Sequence, residues 1–156
     1  MAASGARPAA LKQVRDEGGT VHGTSVALDG RALLIVGPPG AGKSGLALNL
    51  MALGARLISD DRTVLTPCPG APPLASAPAT IAGRIEARGL GILAADPAPP
   101  APVVAVLDLE AREPARLPPP RTLRLAGFDV ALLHDPAISH FPAALIQYLR
   151  GGRTEG

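Results

Sequence analysis

At 156 residues the chain has the size of one ordinary domain, and its 47% of hydrophobic residues are enough for a core. The net charge of +2 is small and scattered, with no basic run interleaved with aromatics, so nothing points to nucleic-acid binding. The single cysteine, Cys68, excludes an intrachain disulfide framework and a cysteine-based zinc site, and the apolar runs are too short to span a membrane. With no continuous hydrophobic segment at the N-terminus, a soluble cytoplasmic protein is expected.

Residues 1–18 mix small, polar and charged side chains and read as an N-terminal tail, with residues 11–16 a loose helix at most. Residues 19–150 are expected to form the domain, and residues 151–156 a C-terminal tail. Residues 21–28 read as a strand, and Asp29-Gly30 as a hairpin turn into the apolar run 32–36. Residues 44–53 read as a helix closed by Gly54, followed by short strands at 56–59 and 63–66. The proline- and alanine-rich stretches 67–78 and 96–102 read as surface loops, and the glycine-dense segment 81–93 between them as turns attached to a site. A strong strand is expected at 103–109, a hairpin about Ala126-Gly127, and a terminal helix over 142–150 starting near Ser139 or His140.

The most informative segment lies between the second strand and the first helix. Gly37-Pro38-Pro39-Gly40-Ala41-Gly42-Lys43-Ser44 fills every fixed position of the phosphate-binding P-loop pattern. Its glycines let backbone N–H groups turn inward around an anion, and Gly45 opens a helix whose N-terminus faces the phosphates. Lys43 is placed to reach the β- and γ-phosphates and Ser44 to hold Mg²⁺. Only Lys12 and Lys43 among the cationic residues are lysines, and one of them stands where the pattern demands lysine.

Phosphoryl transfer also needs an acid near the metal and a group that deprotonates the acceptor. Asp60-Asp61 and Asp108 both follow apolar strands, where ligands of open α/β sheets sit. Glu86 and Arg88, two residues apart on an extended segment, project from one face and could serve metal and phosphate charge respectively, although read alone they are a surface ion pair beside a turn. His22 lies on the strand before the hairpin and, read by itself, is a structural histidine; His134 and His140, in the proline-containing C-terminal region, are incidental.

Val21-His22-Gly23, the P-loop, Leu57-Ile58-Ser59-Asp60-Asp61 and Glu86-Ala87-Arg88-Gly89-Leu90-Gly91, in this order, resemble the catalytic domain of bacterial HPr kinase/phosphorylase. The resemblance runs from about Gly19 to Asp108 and rests chiefly on the E-x-R-G-L-G element and the upstream histidine. It implies a P-loop α/β kinase domain of the HPr kinase and phosphoenolpyruvate carboxykinase-like type, a mixed sheet with flanking helices. It further implies ATP- and Mg²⁺-dependent phosphorylation of a seryl hydroxyl on the phosphocarrier protein HPr, regulating the phosphotransferase system, and in many members removal of that phosphate by inorganic phosphate to give pyrophosphate. By position, Lys43 is the phosphate-binding lysine, Ser44 and Glu86 the Mg²⁺ ligands, Asp60 the residue that takes and returns the seryl proton, and His22 a catalytic-site histidine paired with Asp60. Hexamers are the family habit.

The chain departs from the family pattern in two places. Only about twenty residues precede the domain, as in the short single-domain type. Where the late hairpin of the family carries Gly-Arg, this chain has Gly127-Phe128, and the loop associated with dephosphorylation has no counterpart, so kinase activity is better supported than phosphorylase activity. Two other readings fit the P-loop: a small-metabolite kinase of the shikimate or gluconate type, and a non-catalytic ATP-binding regulator.

Overall fold

A computed structural model describes residues 3–4 and 6–154; the outermost residues of both expected tails, 1–2, 5 and 155–156, lie outside the described residues. In chain order the elements are β1 (Ala3–Ser4), a 3₁₀ turn (Ala9–Leu11), β2 (Gly19–His22), β3 (Thr24–Leu28), β4 (Arg31–Val36), α1 (Lys43–Ala52), β5 (Arg56–Ser59), β6 (Arg62–Cys68) and β7 (Ala71–Ser76). They continue with β8 (Arg84–Ala87), β9 (Gly91–Ala94), β10 (Ala101–Arg112), β11 (Arg121–Leu125), β12 (Phe128–Asp135) and α2 (Phe141–Gly151). The main sheet runs β1-β11-β12-β10-β4-β3-β5. Strands β4, β10 and β12 are parallel, and β3 is antiparallel to both β4 and β5, so β4, β5, β10 and β12 all end on one side of the sheet.

The residue alternation of β4 divides the interior into two cores. Leu33 and Ile35 face α1 and α2 and pack with Ala47, Leu50, Leu145, Ile146 and Leu149. Ala32, Leu34 and Val36 face the other way, onto a small antiparallel layer in which β2 pairs β6, β6 pairs β7, and β7 pairs the start of β10. A bulge in β10, where Val103 and Ala105 oppose the consecutive residues Ala32 and Leu33, makes Val104 the extra residue and lets Val103 and Val106 both join the second core.

Four expectations change. The run 21–28 is two strands, because the chain switches layers at Gly23. A Cβ there would lie 3.0 Å from Leu34 Cδ1, 3.1 Å from the Ile35 carbonyl oxygen and 3.2 Å from Val36 Cγ1, so any larger residue would push these neighbours aside. The stretch 67–78 is not a loop: β6 and β7 form a hairpin through Pro69-Gly70. Its prolines gather where the register shifts between Thr66 and Cys68, while Leu65 and Ala75 pair and bury normally. The segment 81–93 holds the β8–β9 hairpin, whose Ile85 is buried against the helix-side core.

The N-terminal stretch, finally, is built into the fold. Leu11 is fully buried in the second core, β1 extends the sheet by pairing β11, and Arg7 donates hydrogen bonds to the carbonyls of Leu11, Val14 and Arg124. The Asp29-Gly30 hairpin, Gly54 after α1, the Ala126-Gly127 turn and the C-terminal helix agree with expectation; Asp29, Gly30, Ala126 and Gly127 all take positive φ, as tight hairpin turns require. Replacing Leu11 by Ala is expected to cost about 2–5 kcal/mol in chemical denaturation, as for a large buried side chain. Lys12→Ala at the exposed neighbouring position is expected to change little; equal small effects at both sites would return this stretch to a tail.

Candidate functional site

The loop between β4 and α1 takes its shape from its glycines. Gly40 and Gly42 adopt positive φ (83° and 99°), Ala41 donates its N–H to the Pro38 carbonyl at 3.1 Å, and α1 begins at Lys43 with no side-chain cap. The N-terminal N–H groups of α1 and the positive end of its dipole therefore point at the loop mouth. Gly37 is pressed against Ala41 and Leu109, where a Cβ would come within 3.1 Å and 3.3 Å of theirs. Lys43 folds over the loop and donates from Nζ to the carbonyls of Gly37 (2.8 Å) and Pro38 (3.2 Å). An ammonium group has three N–H donors, so one remains for an incoming anion.

Asp60 is the junction of the site. It is buried at the turn after β5, and its carboxylate accepts from three separate elements. Oδ1 accepts from the Thr24 hydroxyl of β3 at 3.0 Å and from the Ser44 hydroxyl of α1 at 2.6 Å, and Oδ2 accepts from the backbone N–H of Glu86 on β8 at 2.9 Å. Ser44 thus gives away its only hydroxyl hydrogen and keeps its oxygen lone pairs for a cation. The Glu86 backbone is pinned while its side chain stays exposed on the same cavity wall.

Asp61 faces a different way. It takes a left-handed conformation (φ 70°), uncommon outside glycine, in a turn where Arg62 N–H reaches back to the Asp60 carbonyl at 2.8 Å. Its own N–H donates to Thr24 Oγ1 at 3.1 Å and its carbonyl accepts from Gly23 N–H at 2.9 Å, so the backbone is clamped on both sides and the side chain is left exposed.

Two cavities of about 450 Å³ each meet at Pro39, Lys43 and Asp61. One is walled by the P-loop, Ser44, Asp60, Glu86 and Arg88. The other is walled by His22, Gly37, Pro38, Asp108, Glu110, and Pro8, Ala9 and Ala10 at the start of the 3₁₀ turn.

Of the sequence-predicted residues, Gly40, Gly42, Lys43, Ser44, Gly45, Asp60, Glu86 and Arg88 line the first cavity; Pro39 and Lys43 line both; Gly37, Pro38 and His22 line the second. Ala41 sits within the loop turn. The expected pairing of His22 with Asp60 does not form, because the Asp60 carboxylate is taken by Thr24, Ser44 and Glu86; His22 shares its cavity with Asp61 instead. Thr24 was missed: a threonine inside an apolar strand run carries no motif, although its burial among Val and Leu required a partner. The two displaced titrating groups lie away from the loop. The hydrogen bond from Arg121 holds the Glu113 carboxyl below the usual carboxylate range, and burial pushes the Tyr148 hydroxyl up.

A strand, glycine-rich loop and helix, with Asp108 on the neighbouring strand β10 and Asp60 after β5 on the far side of β3, define the site of a mixed α/β domain. Residues 16–97, just over half of the chain, match the family model described as HPr Serine kinase C-terminal domain, and the chain belongs to that family. Among curated proteins, the HPr kinase/phosphorylase of Mycoplasmopsis pulmonis is 47% identical over 73 residues, which are 47% of this chain and 23% of the relative. That of Brevibacillus brevis is 39% identical over 74 residues, 47% of this chain and 24% of the relative. The matched segment thus spans under a quarter of the length of these relatives. The solved HPr(Ser) kinase/phosphatase from Coxiella burnetii shares the fold with a TM-score of 0.69 at 23% identity, over 84% of this chain and 88% of that one. Among the described residues no helix is long and apolar enough to cross a membrane.

Thr24→Val removes a donor to Asp60 and the acceptor of Asp61 N–H together, leaving buried polar groups unpaired. It is expected to cost about 1–3 kcal/mol in urea denaturation, with Thr24→Ser retaining most of the stability. A valine variant as stable as the parent would rule out the anchoring role of Thr24.

Proposed function

We propose that the domain transfers the γ-phosphoryl group of ATP to a seryl hydroxyl of HPr, a cytoplasmic reaction that regulates the phosphotransferase system. The observation that carries this reading is the position of Asp61: an exposed carboxylate clamped at the meeting point of the two cavities, beside Lys43. In this reading the cavity with the loop N–H groups, Ser44, Glu86 and Arg88 takes the triphosphate, and the cavity with His22 takes the acceptor.

Ser44 and Glu86 would hold Mg²⁺. Ser44 turns its hydroxyl hydrogen to Asp60 and keeps its lone pairs for a cation, and Glu86 is exposed on the same wall, an oxygen pair that fits a Mg²⁺ shared with phosphates. When bound, the ion offsets charge on the β- and γ-phosphates. The chain's own groups do the rest. The loop N–H groups and the free donor of Lys43 bind the phosphates, and Arg88 adds a planar cation from the opposite wall.

The acceptor serine oxygen attacks the γ-phosphorus, the bond to the β–γ bridging oxygen breaks, ADP departs, and the serine proton passes to a carboxylate. We assign that carboxylate to Asp61. Asp60, which the family resemblance suggested, has both oxygens engaged and acts as the anchor that orients Ser44 and Glu86. His22 lines the acceptor side, where it orients the seryl group.

The reverse reaction has less support. Gly127 packs toward the Asp16 carbonyl, and the Ala126–Phe128 turn lines neither cavity, so this hairpin brings no arginine to the site.

The test is transfer from labelled ATP with Mg²⁺ to HPr from the same source, beside HPr with its target serine changed to Ala. Label is expected on native HPr alone. Asp61→Asn is expected to lower the transfer rate by about 10²–10⁴-fold, as for loss of a general base, with nucleotide still bound. Lys43→Ala is expected to weaken nucleotide binding itself. Full transfer by the Asp61 variant would exclude it as the base. ATP bound with no transfer would favour a regulator, and label on a small metabolite would favour a metabolite kinase. Phosphate added to phosphoserine-HPr is expected to release little pyrophosphate.

A further inference from the structure

Three further hydroxyls lie fully buried around the Asp60-Asp61 turn: Ser25 on β3, Ser59 at the end of β5 and Thr63 on β6. We propose that Thr63, backed by Ser25, is a positioning residue that sets the His22-Gly23 segment against Asp61 and so fixes the acceptor side of the site. The proposal rests on the kinase reading above, in which Asp61 takes the seryl proton.

The strands that carry these hydroxyls are otherwise apolar, with Val26, Leu57, Ile58 and Leu65 buried beside them. A hydroxyl in such surroundings loses solvation that only a hydrogen bond returns, so its partner is informative. Thr63 Oγ1 donates to the Gly23 carbonyl at 3.0 Å. The Ser25 and Thr63 hydroxyl oxygens lie 2.9 Å apart. A hydroxyl has one hydrogen, and that of Thr63 goes to Gly23, so Ser25 is the donor to Thr63. The chain of bonds therefore runs one way, from Ser25 through Thr63 to Gly23. Ser59 donates to the Arg62 carbonyl and closes the turn from within.

Gly23 is where this chain meets the site. Thr63 holds its carbonyl, and its N–H donates to the Asp61 carbonyl at 2.9 Å. His22 precedes it and pairs with Arg62 in the β2–β6 ladder, so His22 and Asp61 line one cavity from the two sides of a single backbone clamp. The positive φ of Asp61 (70°) persists only while its surroundings hold it. Thr24 Oγ1 supplies one hold, on the Asp61 N–H, and is itself bound to Asp60. Gly23 supplies the other and has no side chain to place itself. Thr63 does that placing. Neither Thr63 nor Ser25 lines either cavity, so both act through the Gly23 backbone. The bonds of Asp60 to Ser44 and Glu86 lie outside this chain, which separates the acceptor side from the phosphate side.

Two measurements test this. Thr63→Val keeps the size and shape of the side chain and removes its hydroxyl. With HPr as acceptor, and below the unfolding transition, it is expected to lower kcat by about 10–10²-fold, the scale of a small misplacement at a reacting group, with KM for ATP unchanged. Thr63→Ser is expected to restore most of kcat. Leu65→Ala, on the same face of β6, weakens the fold without touching a hydroxyl and is expected to keep kcat. An equal fall of kcat in Leu65→Ala and Thr63→Val, or full kcat in Thr63→Val, would overturn the proposal.

The second measurement needs no transfer. Amide hydrogen exchange is followed residue by residue in the whole chain. In Thr63→Val the N–H groups of Gly23 and Asp61 are expected to exchange faster, while the Glu86 N–H, held by Asp60, keeps its rate. Unchanged exchange at Gly23 and Asp61, or an equal rise at all three, overturns the proposal even where HPr is phosphorylated. Selective loosening at Gly23 and Asp61, with no label reaching HPr from the parent protein, keeps Thr63 as the residue that holds Asp61 and sinks the kinase reading instead.

Discussion

One buried carboxylate holds the site together. Asp60 is the only point at which β3, α1 and β8 share a hydrogen-bond acceptor among the described residues. Thr24 reaches it from the sheet, Ser44 from the helix that follows the loop, and the Glu86 N–H from the small hairpin outside the sheet. Hydrogen bonds to an ionised acceptor are stronger than neutral ones, and leaving a buried carboxylate unmatched is costly. The three elements are therefore fastened to one another at the point where a metal-bound phosphate would sit. Loop shape comes from Gly40 and Gly42, but the placement of the serine and glutamate comes from Asp60.

The same turn produces a second carboxylate with the opposite exposure. Asp60 continues the inward face of β5, whereas Asp61 is forced to positive φ and turned out between two cavities. Gly23 and Thr24 clamp its backbone, so the strain of that conformation is held by the layer switch between β2 and β3. That coupling links the fold to the chemistry. The glycine that lets the chain change layers also fixes the backbone of the aspartate to which the proposed transfer assigns the proton. Two neighbouring aspartates thereby take different places, one buried between three elements and one exposed between two cavities.

Much of this was legible in the residues. The P-loop needed no structure, because its glycines, lysine and serine are dictated by backbone geometry and phosphate charge. The ordering of His22, Asp60 and Glu86 along the chain was enough to indicate the family. Which aspartate is buried and which is exposed was not legible, although a clue was present: adjacent residues at a strand end project to different sides, so only one of the pair could face inward. The N-terminal stretch was misread because Leu11 is followed by polar residues, and its burial comes from joining a core assembled from strands far along the chain. The β6–β7 hairpin was misread because Pro67, Pro72 and Pro73 argue against a ladder. They are accommodated where the register breaks, which only tertiary pairing reveals.

The central claim is that Asp60 orients the cation-binding groups while Asp61 receives the proton. It is tested most directly by calorimetric titration of ATP into Asp60→Ala and Asp61→Ala, each with and without Mg²⁺. The account predicts that the Asp60 variant loses the Mg²⁺-dependent gain in ATP affinity while the Asp61 variant keeps it. An Asp60 variant that retains the full Mg²⁺-dependent gain, with the Asp61 variant losing it, would contradict the account.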